Sequence, residues 1–266
     1  MFKAILYYLL LILEFVMTMF IAGFALGIYL AHSGGNIKAD IVANSFSYIF
    51  GFYLLAIIVI WFTFHKAKFS KFSWGKVAPE KKWKAMLYTT LPIFGFTLSY
   101  YSVTQLLGIS INMSQLRSFG YVYTIPFMVF GSFLTAYVYY GAILEELIKC
   151  GKKKWVALLT LMLMVVPVSL FAISDERFGG AVFLIDVLFS TWYGFYAYWK
   201  TRSSIILFVV YVAINLIPFH LGPTPLCAAL GVLGLAMMFV GGKFLRRYGQ
   251  ELLAKEDDDF LDSYHI

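Results

Sequence analysis

The chain has 266 residues, of which 61% are hydrophobic and 13% charged, with a formal net charge of +7 and a mean hydropathy of +0.81. A water-soluble domain carries about 25% charged residues, so this composition excludes the soluble class and predicts an all-α, polytopic membrane protein. Topology beside anionic lipid accounts for the positive balance, so a nucleic-acid partner is not needed to explain it.

Apolar stretches close to the ~20 residues that a spanning helix needs lie at 4–31, 43–64, 86–107, 119–148, 155–174, 180–199, 203–219 and 225–242. They predict eight helices in one transmembrane domain over 1–242, followed by a charged cytoplasmic tail over 243–266. The first apolar run is about twice the usual 7–15-residue core of a signal peptide and reads as a retained helix. Glu14 would then lie about 15 Å into that helix, near the bilayer centre, either facing the bundle interior or protonated.

The segment 65–85 mixes lysines with Phe69, Phe72, Trp74 and Trp83, a pattern suited to an anionic membrane face and, more simply, to a topology determinant with interfacial aromatics. Pro92, Pro126, Pro167 and Pro218 interrupt the third, fourth, fifth and seventh stretches. Asp186 falls mid-way along the sixth. With the N-terminus inside, all of the 21 basic residues except Lys38, Arg117 and Arg177 fall on the cytoplasmic side. That asymmetry predicts both termini inside. Cys150 and Cys227 fall at opposite faces, too far apart for a disulfide. No internal repeat of the inverted-transporter kind is visible.

Chemistry concentrates in the second half of the chain. The adjacent carboxylates Glu145 and Glu146 close the fourth stretch within Glu145-Glu146-Leu147-Ile148-Lys149-Cys150. An ionisable group in or near hydrocarbon costs on the order of 2.5–3.5 kcal/mol, so such a pair marks either a functional cavity or a helix that has already reached the headgroups. In the second case Lys149 would pair with Glu145 at helical spacing. Phe171-Ala172-Ile173-Ser174-Asp175 closes the fifth stretch, and Tyr211-Val212-Ala213-Ile214-Asn215 lies in the seventh.

The order and spacing of these segments resemble the CPBP family, the CAAX-protease and bacteriocin-processing group of intramembrane proteases that includes the Rce1 type. Its motifs are Glu-Glu-x-x-x-Arg, Phe-x-x-x-His and His-x-x-x-Asn. Tyr193-Gly194-Phe195 and Lys200-Thr201-Arg202-Ser203-Ser204 also resemble the family's connecting helix and Lys-Thr-x-Ser turn. The resemblance covers about residues 120–220. It implies an Rce1-like helical core in a bacterial plasma membrane, with site positions Glu145, Glu146, Asp175, Tyr211 and Asn215. In the family the first glutamate is the general base on water, one histidine helps to hold that water, and the His and Asn of the last motif stabilise the oxyanion.

Three positions depart from the motifs: Cys150 stands for the Arg, Asp175 for the first His and Tyr211 for the second. Losing a single oxyanion donor costs about 10²–10³ in rate, so the departures imply a pseudo-protease that binds or scaffolds a membrane protein or peptide, possible company being bacteriocin-related or immunity functions. One alternative is an active endopeptidase in which Glu145 and Asp175 share a proton while Tyr211 and Asn215, four residues apart, donate to one oxyanion. Helical rise sets Glu145 about 6–10 Å and Tyr211 about 12 Å from the cytoplasmic anchors but Asp175 nearly 30 Å away, which disfavours it. A transporter with Glu14, Asp186 and the glutamate pair along a polar path is the remaining alternative. Catalytic zinc wants histidine-rich ligation, and no cofactor is expected.

Overall fold

The computed structural model describes residues 2–33, 37–70, 72–108, 129–171, 179–215 and 224–248. It is all-helical, with no strand among the described residues. Helices among the described residues overlap each of the eight apolar stretches. These are α1 (Phe2–Ser33), α2 (Ile37–Lys66), α3 (Lys82–Leu106), a composite fourth element, α5 (Lys154–Phe171), α6 (Gly179–Thr201), α7 (Ser204–Asn215) and α8 (Pro225–Tyr248). The fourth is helical from 129, widens into a π-helix over Leu134–Leu144, called π1, and returns to α spacing in α4 (Glu145–Lys149). Among the described residues, Pro225–Arg246 of α8 is the one helix long and apolar enough to cross a membrane. Gly51–Lys66, Lys154–Val166 and Ser204–Ile214 are shorter apolar helical stretches.

The chain divides into two compact units, the first formed by Met1–Lys71 with Met113–Gly151 and the second by Phe72–Asn112 with Lys152–Ile266. In the first, α1 packs on α2, on π1 and on α4. Its buried face runs through Ala4, Tyr7, Leu11, Glu14 and Thr18 at three- and four-residue steps, while Phe2, Leu9, Leu13, Phe20 and Phe24 point outward. The inward face therefore holds the carboxylate and the hydroxyl, and the outward face is apolar, the reverse of a helix on a water-soluble protein. Tyr7 stacks on Phe69 at 4.3 Å between ring centroids. Ser70 and Tyr137 close a reciprocal pair: Ser70 Oγ donates to the Tyr137 carbonyl at 2.7 Å and Tyr137 Oη to the Ser70 carbonyl at 3.2 Å. These bonds fix the end of α2 against the π1 turn.

In the second unit the principal seam is α3 against α8, and small residues make it close. A Cβ on Gly234 would stand 2.5 Å from Ser99 Oγ and 2.6 Å from the Gly95 carbonyl, and one on Gly241 would stand 2.6 Å from Pro92 Cδ. Ser99 Oγ lies 2.9 Å from the Gly95 carbonyl and 3.1 Å from that of Gly231 across the seam. Pairing backbones through Gly and Ser in this way is the packing mode of helices in lipid, where apolar burial alone gives no preference for another helix. Thr224 caps α8, its Oγ1 accepting from Cys227 N at 3.3 Å, with Pro225 in the first turn.

The segment 72–78 belongs to this unit and grips the α6–α7 turn. Ser203 Oγ donates to the Ser73 carbonyl at 3.1 Å, Ser73 N to Ser204 Oγ at 3.1 Å and Lys76 N to the Thr201 carbonyl at 3.1 Å. Gly75 has φ +65°, and a Cβ there would overlap the Arg202 carbonyl.

Candidate functional site

The site positions fall in both units. Glu145 and Glu146 belong to the first, Tyr211 and Asn215 to the second, and Asp175 lies outside the described residues.

Glu145 and Glu146 open the short α4, directly after eleven residues of π-helix whose Ala136–Leu144 portion is buried throughout. A π-helix bonds N–H to the carbonyl five residues back, so its turn is wider and it changes which face the following residues present. Both glutamates are half-buried. Glu146 Oε1 lies 3.9 Å from Lys3 Nζ, an ion pair that joins α4 to the start of α1. Cys150 Sγ is 4.0 Å from the same oxygen. The cation on Glu146 comes from a residue remote in sequence. Nothing in the local pattern around either residue announces that contact.

Tyr211 is buried in α7, and its hydroxyl donates to the Ser190 carbonyl of α6 at 2.9 Å. Ser190 carries no signal in the sequence as an acceptor, because the group that accepts is a backbone oxygen near the middle of a helix. Asn215 is the last residue of α7 and Phe171 the last of α5. The Lys200–Ser204 turn serves structure. Thr201 Oγ1 donates to the Ala197 carbonyl at 2.8 Å, and Ser203 Oγ accepts from Ile206 N at 3.2 Å as the cap of α7.

Glu14 faces the interior of its unit, and Thr18 Oγ1 donates to its backbone carbonyl at 2.7 Å. Glu14 Oε2 and the buried Tyr139 hydroxyl have no hydrogen-bond partner among the described residues. Asp186 of α6 sits beside Tyr100 of α3 in the other unit. Among the described residues no three His, Cys, Asp or Glu side chains come together in a metal-binding group. Cys150 is exposed and Cys227 buried, both as free thiols.

No family model, curated protein or solved structure matches the chain, so the resemblance to the CPBP family rests on the motif residues themselves.

Proposed function

We propose that the chain is an integral membrane protein with eight spans and both termini inside, built on a CPBP-type core, that binds or scaffolds a membrane protein or peptide and does not cleave it. The outward faces of α1 and α8 support membrane embedding. Phe20, Phe24, Val232 and Phe239 are exposed on them, while Glu14, Thr18, Gly231 and Gly234 are turned inward. Hydrocarbon is the environment that suits both faces at once.

The observation that carries loss of catalysis is the Tyr211 hydroxyl. A phenol has one proton to donate, and this one goes to the Ser190 carbonyl. Donation to an oxyanion would require breaking that bond, at about 0.5–1.5 kcal/mol. Glu146 is already engaged by Lys3, and no histidine occupies a motif position. In this reading the former site positions are parts of the scaffold, and the partner is recognised in the membrane. The test is purified protein, reconstituted in vesicles, incubated with a library of membrane-anchored peptides. The proposal expects retained peptides and no new ends. Cleavage that vanishes in Glu145→Gln would replace it with the endopeptidase.

A further inference from the structure

Three cations of the second unit gather at one end of their helices. They are Lys154 at the start of α5, Lys200 at the end of α6 and Arg246 near the end of α8. None is ion-paired with a carboxylate among the described residues. The nearest acid on the same helix, Asp186, is fourteen residues before Lys200, or about 21 Å along the axis. Lys154 Nζ stands 4.5 Å from the centroid of the Tyr196 ring and 5.9 Å from that of Trp199. Arg202 Cζ is 5.3 Å from the Trp199 centroid. Burial first, and then the like charges of Lys200 and Arg246, lower the proton affinity of Lys154; burial and Arg246 do the same to Lys200.

Helix dipoles explain part of this. A cation at a helix C-terminus is favourable, which suits Lys200 and Arg246. Lys154 begins its helix, where a positive charge is unfavourable, and there it also meets two more cations. An anion between them would relieve all three. The surface next to the cluster favours a particular kind of anion. Trp155, Leu159 and Leu163 are exposed at four-residue steps along α5, so they form an apolar stripe leading away from Lys154. Tyr196 and Trp199 are the residue types that hold the level of lipid headgroups.

The geometry points to a binding site for the phosphate of an anionic phospholipid, formed by Lys154, Lys200 and Arg246 beside Tyr196 and Trp199, with an acyl chain lying along Trp155, Leu159 and Leu163. The shared chemistry is phosphate recognition, and the apolar stripe selects a lipid over a free anion. The inference rests on the proposed membrane embedding, which is checked separately by whether the protein stays in the membrane pellet after a carbonate wash.

The test is native mass spectrometry of the full chain in detergent, titrated with phosphatidylglycerol, phosphatidylcholine or inorganic phosphate. Wild type is expected to retain phosphatidylglycerol in preference to the other two. Lys154→Gln, Lys200→Gln and Arg246→Gln together should weaken that binding about 100-fold, at roughly fivefold for each cation near the surface. An equal loss of charge elsewhere, through Lys66→Gln, Lys81→Gln and Lys84→Gln, should leave the preference in place. If the triple variant fails to fold, Lys200→Gln alone is expected to lose about fivefold. Equal retention of the two lipids by wild type, equal losses in the two triple variants, or inorganic phosphate binding as tightly as the lipid would each overturn the site. A protein that pellets with membranes yet shows one of these results loses the site alone and keeps its membrane assignment.

Discussion

Tyr211 has one proton to give, and the backbone of α6 takes it at 2.9 Å. Tyr211→Phe should therefore act as the loss of one partly buried hydrogen bond, destabilising the protein by about 0.5–1.5 kcal/mol in thermal unfolding and leaving partner retention unchanged. A larger effect on partner retention than on stability would assign the hydroxyl a functional role. Glu146 and Lys3 predict a different scale of response. Lys3 is largely exposed and the separation is 3.9 Å, so a double-mutant cycle with Lys3→Ala and Glu146→Gln should give a coupling below about 1 kcal/mol. The motif glutamates were legible in the sequence because carboxylates stand out in apolar text. The partners of Glu146 and Tyr211 were not, since the Lys3 contact joins the two ends of the first unit and the Ser190 contact uses a main-chain oxygen.

At the scale of the element, the α3–α8 seam sets how close two helices can come. Gly234→Leu places a side chain where a Cβ already meets Ser99 Oγ at 2.5 Å, and it should cost about 1–3 kcal/mol by overpacking. Gly242→Leu, on the same helix but with open space around its Cβ, should stay within about 0.5 kcal/mol. Thermal unfolding of the two variants in one detergent separates them, and equal losses would remove the seam from the account. Gly75→Ala tests the clasp over the α6–α7 turn. Positive φ costs a non-glycine residue about 1–2 kcal/mol, and the Arg202 carbonyl adds a steric term, so the midpoint should fall more than for Gly242→Leu.

Among the described residues the all-helical class was legible as runs of apolar residues, because length and hydropathy alone predict it. The π-helix over Leu134–Leu144 was not: its Tyr137-Val138-Tyr139-Tyr140 run is as apolar as its neighbours, and hydropathy carries no record of hydrogen-bond register. The segment 65–85 reads by its charge and aromatics as suited to an anionic membrane face or, more simply, as a topology determinant, and that reading does not show that the backbone of 72–78 also holds the turn at Thr201–Ser204. The close approach of the two backbones depends on Gly75, a residue whose composition signal is faint.

For the whole molecule, the distribution of lysine and arginine predicts which loops face the cytoplasm. In a Cys150→Ser background, Lys84→Cys should react with a membrane-impermeant thiol reagent only after permeabilisation, and Lys38→Cys should react in intact cells. Labelling of both from the same side would break the eight-span arrangement. The proposed reading separates fold from chemistry: of the site positions, the Tyr211 hydroxyl is bonded to the Ser190 carbonyl and Glu146 is paired with Lys3.

That separation is tested most directly by comparing new protein termini in membranes from cells making the wild type with those making Glu145→Gln and Glu146→Gln together, at equal levels. The account predicts identical termini. Termini that appear with wild type and disappear with the double variant would contradict it and make the chain a protease working with an altered set of residues.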